Sequence, residues 1–334
     1  MVSFSILNVL SSFGLVGLGL CQQQQYTHLK NQPADPRSHL VSPPKFGFGT
    51  WYLNLSIENT TEAVAGAIVQ GYRHIDAAAV YENQQGVGLG IKEGLKRANI
   101  TRSDIWITTK LWGDMILIRK NTRHQDVEKG INTTLKDLGL DYIDLYLLHF
   151  PFGERAQGKC YDLCSRPPGS TLKPLVHQME VHPYLQQREW VKKNKDLNLT
   201  IIAYAPLGNT SPTYHKEFYN NKEVWGDLPM LLENETIKKI AAQRKCTPVQ
   251  VVLSWNLRLG QVVIPKSARL DHQKENWGAL NCKLTDEDDK EIAGIEAKHG
   301  PRRMLKVCGI YGINCYEGLS GMERWKGWKS PLGL

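Results

Sequence analysis

Short runs of β-branched, aromatic and aliphatic residues alternate along the 334-residue chain with longer stretches in which apolar residues recur every three or four positions. The first pattern predicts strands at Lys45–Trp51, within Gly71–Asp76, and at Asp104–Lys110, Tyr142–His149, Pro174–Gln178, Thr200–Tyr204 and Gln261–Pro265. The second predicts helices between them. One runs from Asn59 to Gln70, with Asn59 as cap, Glu62 three positions on, Val64 and Ile68 as its stripe and Gly71 as its stop. Another carries Val87, Ile91 and Leu95. A third covers Asp126 to Leu138 and sets Val127, Ile131, Leu135 and Leu138 opposite Glu128, Asn132 and Lys136. Further helices are predicted at Leu185–Asn194, Asn234–Lys245, Pro248–Leu259 and Thr285–Ala297, with Thr247-Pro248 capping the third of these. Alternation of this kind implies a parallel sheet with helices outside it. Gly86, Gly88, Gly90 and Gly94 look like a dinucleotide fingerprint, but they do not follow a strand directly and lack the third spacing. Close helix packing accounts for them better.

Three successive strands end in ionisable groups. The second delivers Asp76, and the loop after it Tyr81; the third ends at Lys110 and the fourth at His149. In a parallel α/β barrel the carboxyl ends of the strands form the rim where chemistry sits. Taken singly, each residue is more ordinary as packing or as a solvated strand end. Taken together and in order, they point to a site.

Around these four lie seven motifs in one order: Gly47-Phe48-Gly49-Thr50-Trp51, Asp76 with Tyr81, Thr109-Lys110-Leu111-Trp112, His149-Phe150-Pro151, Gln178-Met179-Glu180-Val181-His182-Pro183, Tyr204-Ala205-Pro206-Leu207-Gly208 and Ile264-Pro265-Lys266-Ser267. From about Pro44 to about Ala297 the chain resembles the aldo-keto reductase family. The resemblance implies an α/β fold of the TIM-type (β/α)8 barrel class and NADP(H)-dependent interconversion of aldehydes or ketones with alcohols, without a metal. It implies Tyr81 as general acid, Lys110 as the cation that lowers the phenol's pKa, Asp76 as the carboxylate holding that lysine, and His149 as the group orienting the carbonyl oxygen. For the cofactor, NADPH, it implies Thr50, Trp51, Asp76, Gln178 on the amide, Tyr204 stacked on the nicotinamide, Leu207, Lys266 and Ser267 on the 2′-phosphate, and Glu275 and Asn276. The family usually has an arginine where this chain has His272. Trp51, Trp112 and Phe150 would line an apolar substrate mouth.

The strand count is seven, one short of a closed barrel. His149 and Gln178 are only 29 positions apart, where a strand–helix–strand unit alone takes about 30 residues. The interval has loop composition, and the family's fifth-strand Gly-x-Ser-Asn-Phe motif is not in it. An incomplete barrel with an open wall there is the expectation. The competing reading is a non-catalytic or weakly nucleotide-binding barrel remnant, the product of a splice variant or a faulty gene model.

The net charge of +8 is spread along the chain without a dense basic block, which argues against a nucleic-acid partner. The expected partner is a small-molecule carbonyl substrate, and the expected state a monomer. Residues 1–21 read as a secretory signal, 22–43 as a flexible leader, 44–297 as the barrel and 298–334 as an irregular tail. No stable membrane span remains once the signal is removed. Seven Asn-x-Ser/Thr sequons, at Asn54, Asn59, Asn99, Asn132, Asn198, Asn209 and Asn234, agree with a secreted or lumenal glycoprotein. Cys160, Cys164, Cys246, Cys282, Cys308 and Cys315 would remain. Local bridges at Cys160–Cys164 and Cys308–Cys315, six free thiols, or a zinc site are the alternatives.

Overall fold

The computed structural model describes residues 42–51, 53, 56–112, 123–149, 175–208 and 228–304. The signal, the leader up to residue 41, residues 150–174 of the open wall expected between His149 and Gln178, the tail beyond 304, Cys160, Cys164, Cys308 and Cys315 all lie outside those residues. The chain divides into two compact units, Met1–Pro44 with Thr50–His177 and Lys45–Gly49 with Gln178–Leu334.

Strand β1 (Phe48–Gly49) lies in the second unit. The first is built on β2 (His74–Asp76), β3 (Trp106–Leu111) and β4 (Leu145–Leu148), with helices α1 (Ile57–Val69), α2 (Gln84–Ala98) and α3 (Arg123–Leu138). The strands are parallel, with Asp76 level with Thr108 on β3 and Lys110 level with Leu147 on β4. Because side chains alternate along a strand, Lys110 shares the face of Thr108 one step beyond the end of β2. Every residue of β3 is buried.

Two of these strands begin later than their composition suggests, for one reason. Asp104 closes a capping box with Thr101 around a 3-10 turn, and so is not in β3. The Asp144 carboxylate accepts from the Ile107 amide at 2.8 Å and from Arg102 at 2.6 Å. Local polar partners thus take up the backbone that a longer ladder would need. The cap of α1 is also a correction. Ser56 caps it, accepting from the Asn59 amide at 3.2 Å, and Glu62 instead meets Arg97 of α2 at 2.8 Å.

The glycines of α2 pack as expected. A Cβ at Gly86, Gly90 or Gly94 would lie 2.8, 2.6 or 2.8 Å from the Cβ of Thr60, Val64 or Ile68, three residues one turn apart on α1. A Cβ at Gly88 would run into the Leu138 carbonyl at the end of α3. Glycine here lets three helix backbones approach more closely than any side chain permits.

The second unit holds β5 (Val176–Glu180), β6 (Thr200–Tyr204) and β7 (Val262–Val263) in that order, the division between units falling inside β5. Its helices are α4 (Arg188–Asp196), α5 (Glu235–Arg244), α6 (Pro248–Arg258), α7 (Leu270–Trp277) and α8 (Asp286–His299). Residues 45–49 run beside β7, with Gly47 donating to the Val263 carbonyl at 2.7 Å. Thr247 and Thr285 each close a capping box, with Gln250 and Asp288. Cys246 and Cys282 form a disulfide, a pairing that the sequence spacing does not single out and that removes both from the free-thiol and zinc alternatives.

Seven strands are found among the described residues. No helix among them is long and apolar enough to cross a membrane.

Candidate active site

In the first unit, four elements bring the predicted tetrad together. Asp76 ends β2, Tyr81 ends a 3-10 turn over Ala79–Tyr81, Lys110 lies near the end of β3, and His149 follows β4 with its amide bonded to the Leu111 carbonyl at 3.1 Å. The Lys110 ammonium is the centre. It donates to Asp76 Oδ1 at 2.5 Å, to the Ala77 carbonyl at 2.9 Å and to Tyr81 Oη at 3.2 Å. Lys110 and Asp76 are both about 2% exposed, so neither charge is compensated by water. The Tyr81 and His149 rings meet edge to face, with centroids 5.6 Å apart; Trp112 meets His149 in the same way at 5.4 Å, and Trp51 lies 6.5 Å from Tyr81.

Thr50 plays a part here that its sequence motif does not disclose. Its hydroxyl and its amide both donate to the Asp76 carbonyl, at 2.9 and 3.0 Å, and its own carbonyl accepts from Asn83 at 2.9 Å. It therefore fixes the backbone that delivers Asp76. Sequence reasoning missed Asn83 and the Ala77 carbonyl. A backbone oxygen has no sequence signal, and Asn83 reads as an ordinary turn residue.

The electrostatics correct one expectation. Burial, and then the negative charge of Asp76, push the Tyr81 phenol well above 10. The Lys110 charge, matched at 2.5 Å by Asp76, does not offset that rise. Burial pushes the Lys110 ammonium down, against the pull of Asp76. Burial, reinforced by Lys110, holds His149 well below 6.5, so its imidazole is neutral at physiological pH. The result is a protonated phenol, a cation that donates to its oxygen and a neutral imidazole beside its ring, a set able to hand one proton to a developing oxyanion.

The second unit carries the predicted cofactor residues Gln178, Tyr204, Leu207, Lys266, Ser267, Glu275 and Asn276. Gln178 and Tyr204 are half-buried, and Asn276 is buried. The Ser267 hydroxyl accepts from the Arg269 amide at 3.1 Å, just ahead of α7, on which Glu275 and Asn276 lie. The Glu275 carbonyl accepts from Gln250 at 3.2 Å. His272 is exposed. Lys266 is pushed down by burial alone, and no carboxylate among the described residues pairs with it. A desolvated cation without a carboxylate suits a phosphate. Phe150, the third residue predicted for the substrate mouth, lies outside the described residues.

The sequence profile of the Aldo/keto reductase family matches residues 45–164 and 169–297. An uncharacterized oxidoreductase of Schizosaccharomyces pombe is 34% identical over 299 residues, taking in 76% of this chain and 86% of the relative. The glycerol 2-dehydrogenase (NADP(+)) of Saccharomyces cerevisiae is 31% identical over 315 residues, with 78% of this chain and 90% of that protein covered. Among solved structures, an aldose reductase from Giardia lamblia superposes with a TM-score of 0.64 at 28% identity, covering 80% of this chain and 96% of that one.

Proposed function

Because the chain belongs to the Aldo/keto reductase family and has the (β/α)8-barrel fold class of its structural relative, we propose that it is an NADP(H)-linked carbonyl reductase with Tyr81 as general acid. That it is an oxidoreductase of the carbonyl/alcohol type follows from the family. The observation that carries the finer reading is the Lys110 ammonium, 2.5 Å from Asp76 and 3.2 Å from the Tyr81 oxygen. Since the lysine donates to that oxygen, the phenolic proton is directed elsewhere, free to reach a carbonyl oxygen. As that oxygen gains negative charge, Tyr81 transfers its proton, and Lys110 stabilises the phenolate left behind. His149, neutral, orients the same oxygen by a hydrogen bond. Trp51 and Trp112 offer apolar surface to the rest of the substrate.

The cofactor supplies the hydride when bound. Lys266 and Ser267 would hold its 2′-phosphate, Tyr204 and Gln178 its nicotinamide end, and Leu207, Glu275 and Asn276 the remainder. The name of the yeast glycerol dehydrogenase supports NADP over NAD, as does Lys266, half-buried and without a carboxylate partner among the described residues. Preference for the phosphorylated cofactor rests here on a lysine with His272 nearby in sequence, and so is weaker than with an arginine in that place.

A shortened barrel remains part of the reading. The interval between His149 and Gln178 supports it, being only 29 positions where a strand–helix–strand unit alone takes about 30 residues. Loss of the family's Ser-Asn contact to the nicotinamide amide would weaken cofactor binding by about 1–3 kcal/mol. Weak, NADPH-preferring turnover is the consequence. Purified protein assayed against a panel of aldehydes decides this. Turnover with NADPH that Tyr81→Phe lowers by roughly a hundred- to ten-thousand-fold supports it; turnover undiminished by that change, or a wild type that neither turns over nor binds NADPH, overturns it.

We also read the product as secreted or lumenal and glycosylated. The Cys246–Cys282 disulfide supports an oxidising compartment, and Asn59, Asn99, Asn132 and Asn198 are exposed. Asn234 is a correction: it is buried, caps α5 and donates to the Tyr184 hydroxyl at 3.1 Å, so it has no room for a glycan. Expression in a eukaryotic host with no mass change on glycosidase treatment, or retention in the cytosol, counts against this.

A further inference from the structure

The second unit contains a buried charged cluster that the tetrad chemistry does not use. Glu180, the last residue of β5, is fully buried, as is His182 two residues on, and Arg303 is 4% exposed. Glu180 Oε1 bonds His182 Nε2 at 2.9 Å and accepts from the Met304 amide at 2.6 Å, while Oε2 lies 3.7 Å from Arg303 Nη1. The Glu180 carbonyl accepts from Gln187, whose own side-chain oxygen accepts from Arg303 at 3.2 Å. One carboxylate thus joins β5, His182 and the segment 301–304.

The imidazole it orients has a neighbour. A Cβ at Gly208 would stand 3.9 Å from His182 Cγ and 3.3 Å from Leu231 Cδ2. Gly208 closes the turn after β6, its amide bonded to the Ala205 carbonyl at 2.8 Å, with φ of +64° at Gly208 and +45° at Ala205. A positive φ at alanine is held only where the surroundings over-determine it. The His182 ring, fixed by Glu180, is one wall against that turn, and the Leu231 side chain is another. The turn carries Leu207 and begins at Tyr204.

We propose that Glu180 and His182 are positioning residues for the Ala205–Gly208 turn, with Arg303 and the Met304 amide holding Glu180 in the orientation that requires. This role needs no contact with substrate or cofactor. They set the backbone from which Tyr204 and Leu207 project, and this step rests on the cofactor roles proposed above. Burying a carboxylate among an arginine, a histidine and a backbone amide is costly unless every partner is in place. The geometry is therefore held as a unit.

The test compares Glu180→Gln and Arg303→Met with wild type in the full chain, by two readouts. Hydrogen–deuterium exchange without cofactor is expected to rise at Ala205–Gly208 and to stay unchanged across Pro248–Arg258. The Kd for NADPH, from quenching of protein fluorescence, is expected to weaken about tenfold while the carbonyl KM holds. Exchange at Ala205–Gly208 that matches wild type in the variants that fold, or an unchanged Kd with only a lowered melting temperature, overturns the proposal. Should Glu180→Gln not fold, Arg303→Met decides. A wild type that does not bind NADPH sinks the cofactor reading instead, and the exchange readout still decides whether the cluster positions the turn.

Discussion

Lys110 donates to the Tyr81 oxygen across 3.2 Å while the phenol stays protonated, its pKa raised well above 10 by burial and by Asp76. With Tyr81 as the proposed general acid, reduction needs the protonated phenol, whose loss begins only as pH rises through that elevated value. Carbonyl reduction should therefore show no loss from this group between about pH 6 and pH 9. The reverse oxidation needs the phenolate and should climb with pH throughout. Profiles of kcat/KM against pH in both directions check this; a reductive limb falling with a midpoint near neutrality contradicts it.

Replacing Lys110 by methionine leaves the Asp76 carboxylate, about 2% exposed, without its cation. An uncompensated buried charge of this kind costs about 3–5 kcal/mol. Urea denaturation should show that loss for Lys110→Met, and Asp76→Leu in the same chain should recover much of it without restoring turnover. Equal losses in the single and double variants would mean that the pair does not share one electrostatic unit.

His74 lies one step before the tetrad on the same face of β2, fully buried and bonded to the Thr108 hydroxyl at 2.9 Å. Burial holds its imidazole down, to about 4 against an ordinary 6.5. The folded pKa is the lower one, so the unfolded chain takes up the proton first as pH falls. His74 thus imposes no loss above pH 6.5 and takes away up to about 3 kcal/mol as pH drops toward 4. Denaturation at neutral pH and near pH 4.5 should show a smaller difference for His74→Gln than for wild type.

Gly90→Ala tests the glycine-lined helix contact. Alanine favours a helix over glycine by about 1 kcal/mol. Here its Cβ would sit 2.6 Å from the Val64 Cβ, against backbone-fixed atoms with no room to move. Overpacking of that kind costs about 1–3 kcal/mol, so the substitution should destabilise. A melting temperature at or above wild type would show that α1 and α2 can part without penalty.

Where function needs a side chain at a strand end, the sequence was legible. Asp76, Lys110 and His149 each follow a run of β-branched, aromatic or aliphatic residues, and the break in that run marks the strand end. The Gly86–Gly94 spacing of α2 likewise announces one helix face. Caps and strand starts were less legible because several local partners compete for the same backbone groups. Ser56 and Asn59 are both good caps, and it is Ser56 that accepts from an amide in the first turn of α1. Asp144 looks like a strand residue until Arg102 and the Ile107 amide claim it. The Cys246–Cys282 pair could not be read from spacing, since it depends on how the start of α6 meets the loop before α8. Glu180 and His182 lie in the Gln178–Pro183 motif with no role legible there, because Arg303, the cation beside Glu180, is more than a hundred residues away.

Strand β3 is fastened at both ends by charge. Below it, the Asp144 carboxylate holds the Ile107 amide and Arg102; at its top, Lys110 is tied to Asp76 and the Ala77 carbonyl. Fraying from either end would strip a buried ion of its counter-charge before releasing a single ladder bond. A strand so placed does not open piecemeal, and its amides exchange only when the surrounding unit unfolds as a whole. The part of the chain that fixes the proposed proton donor is then the last to soften under heat or denaturant, whatever happens first at the surface helices.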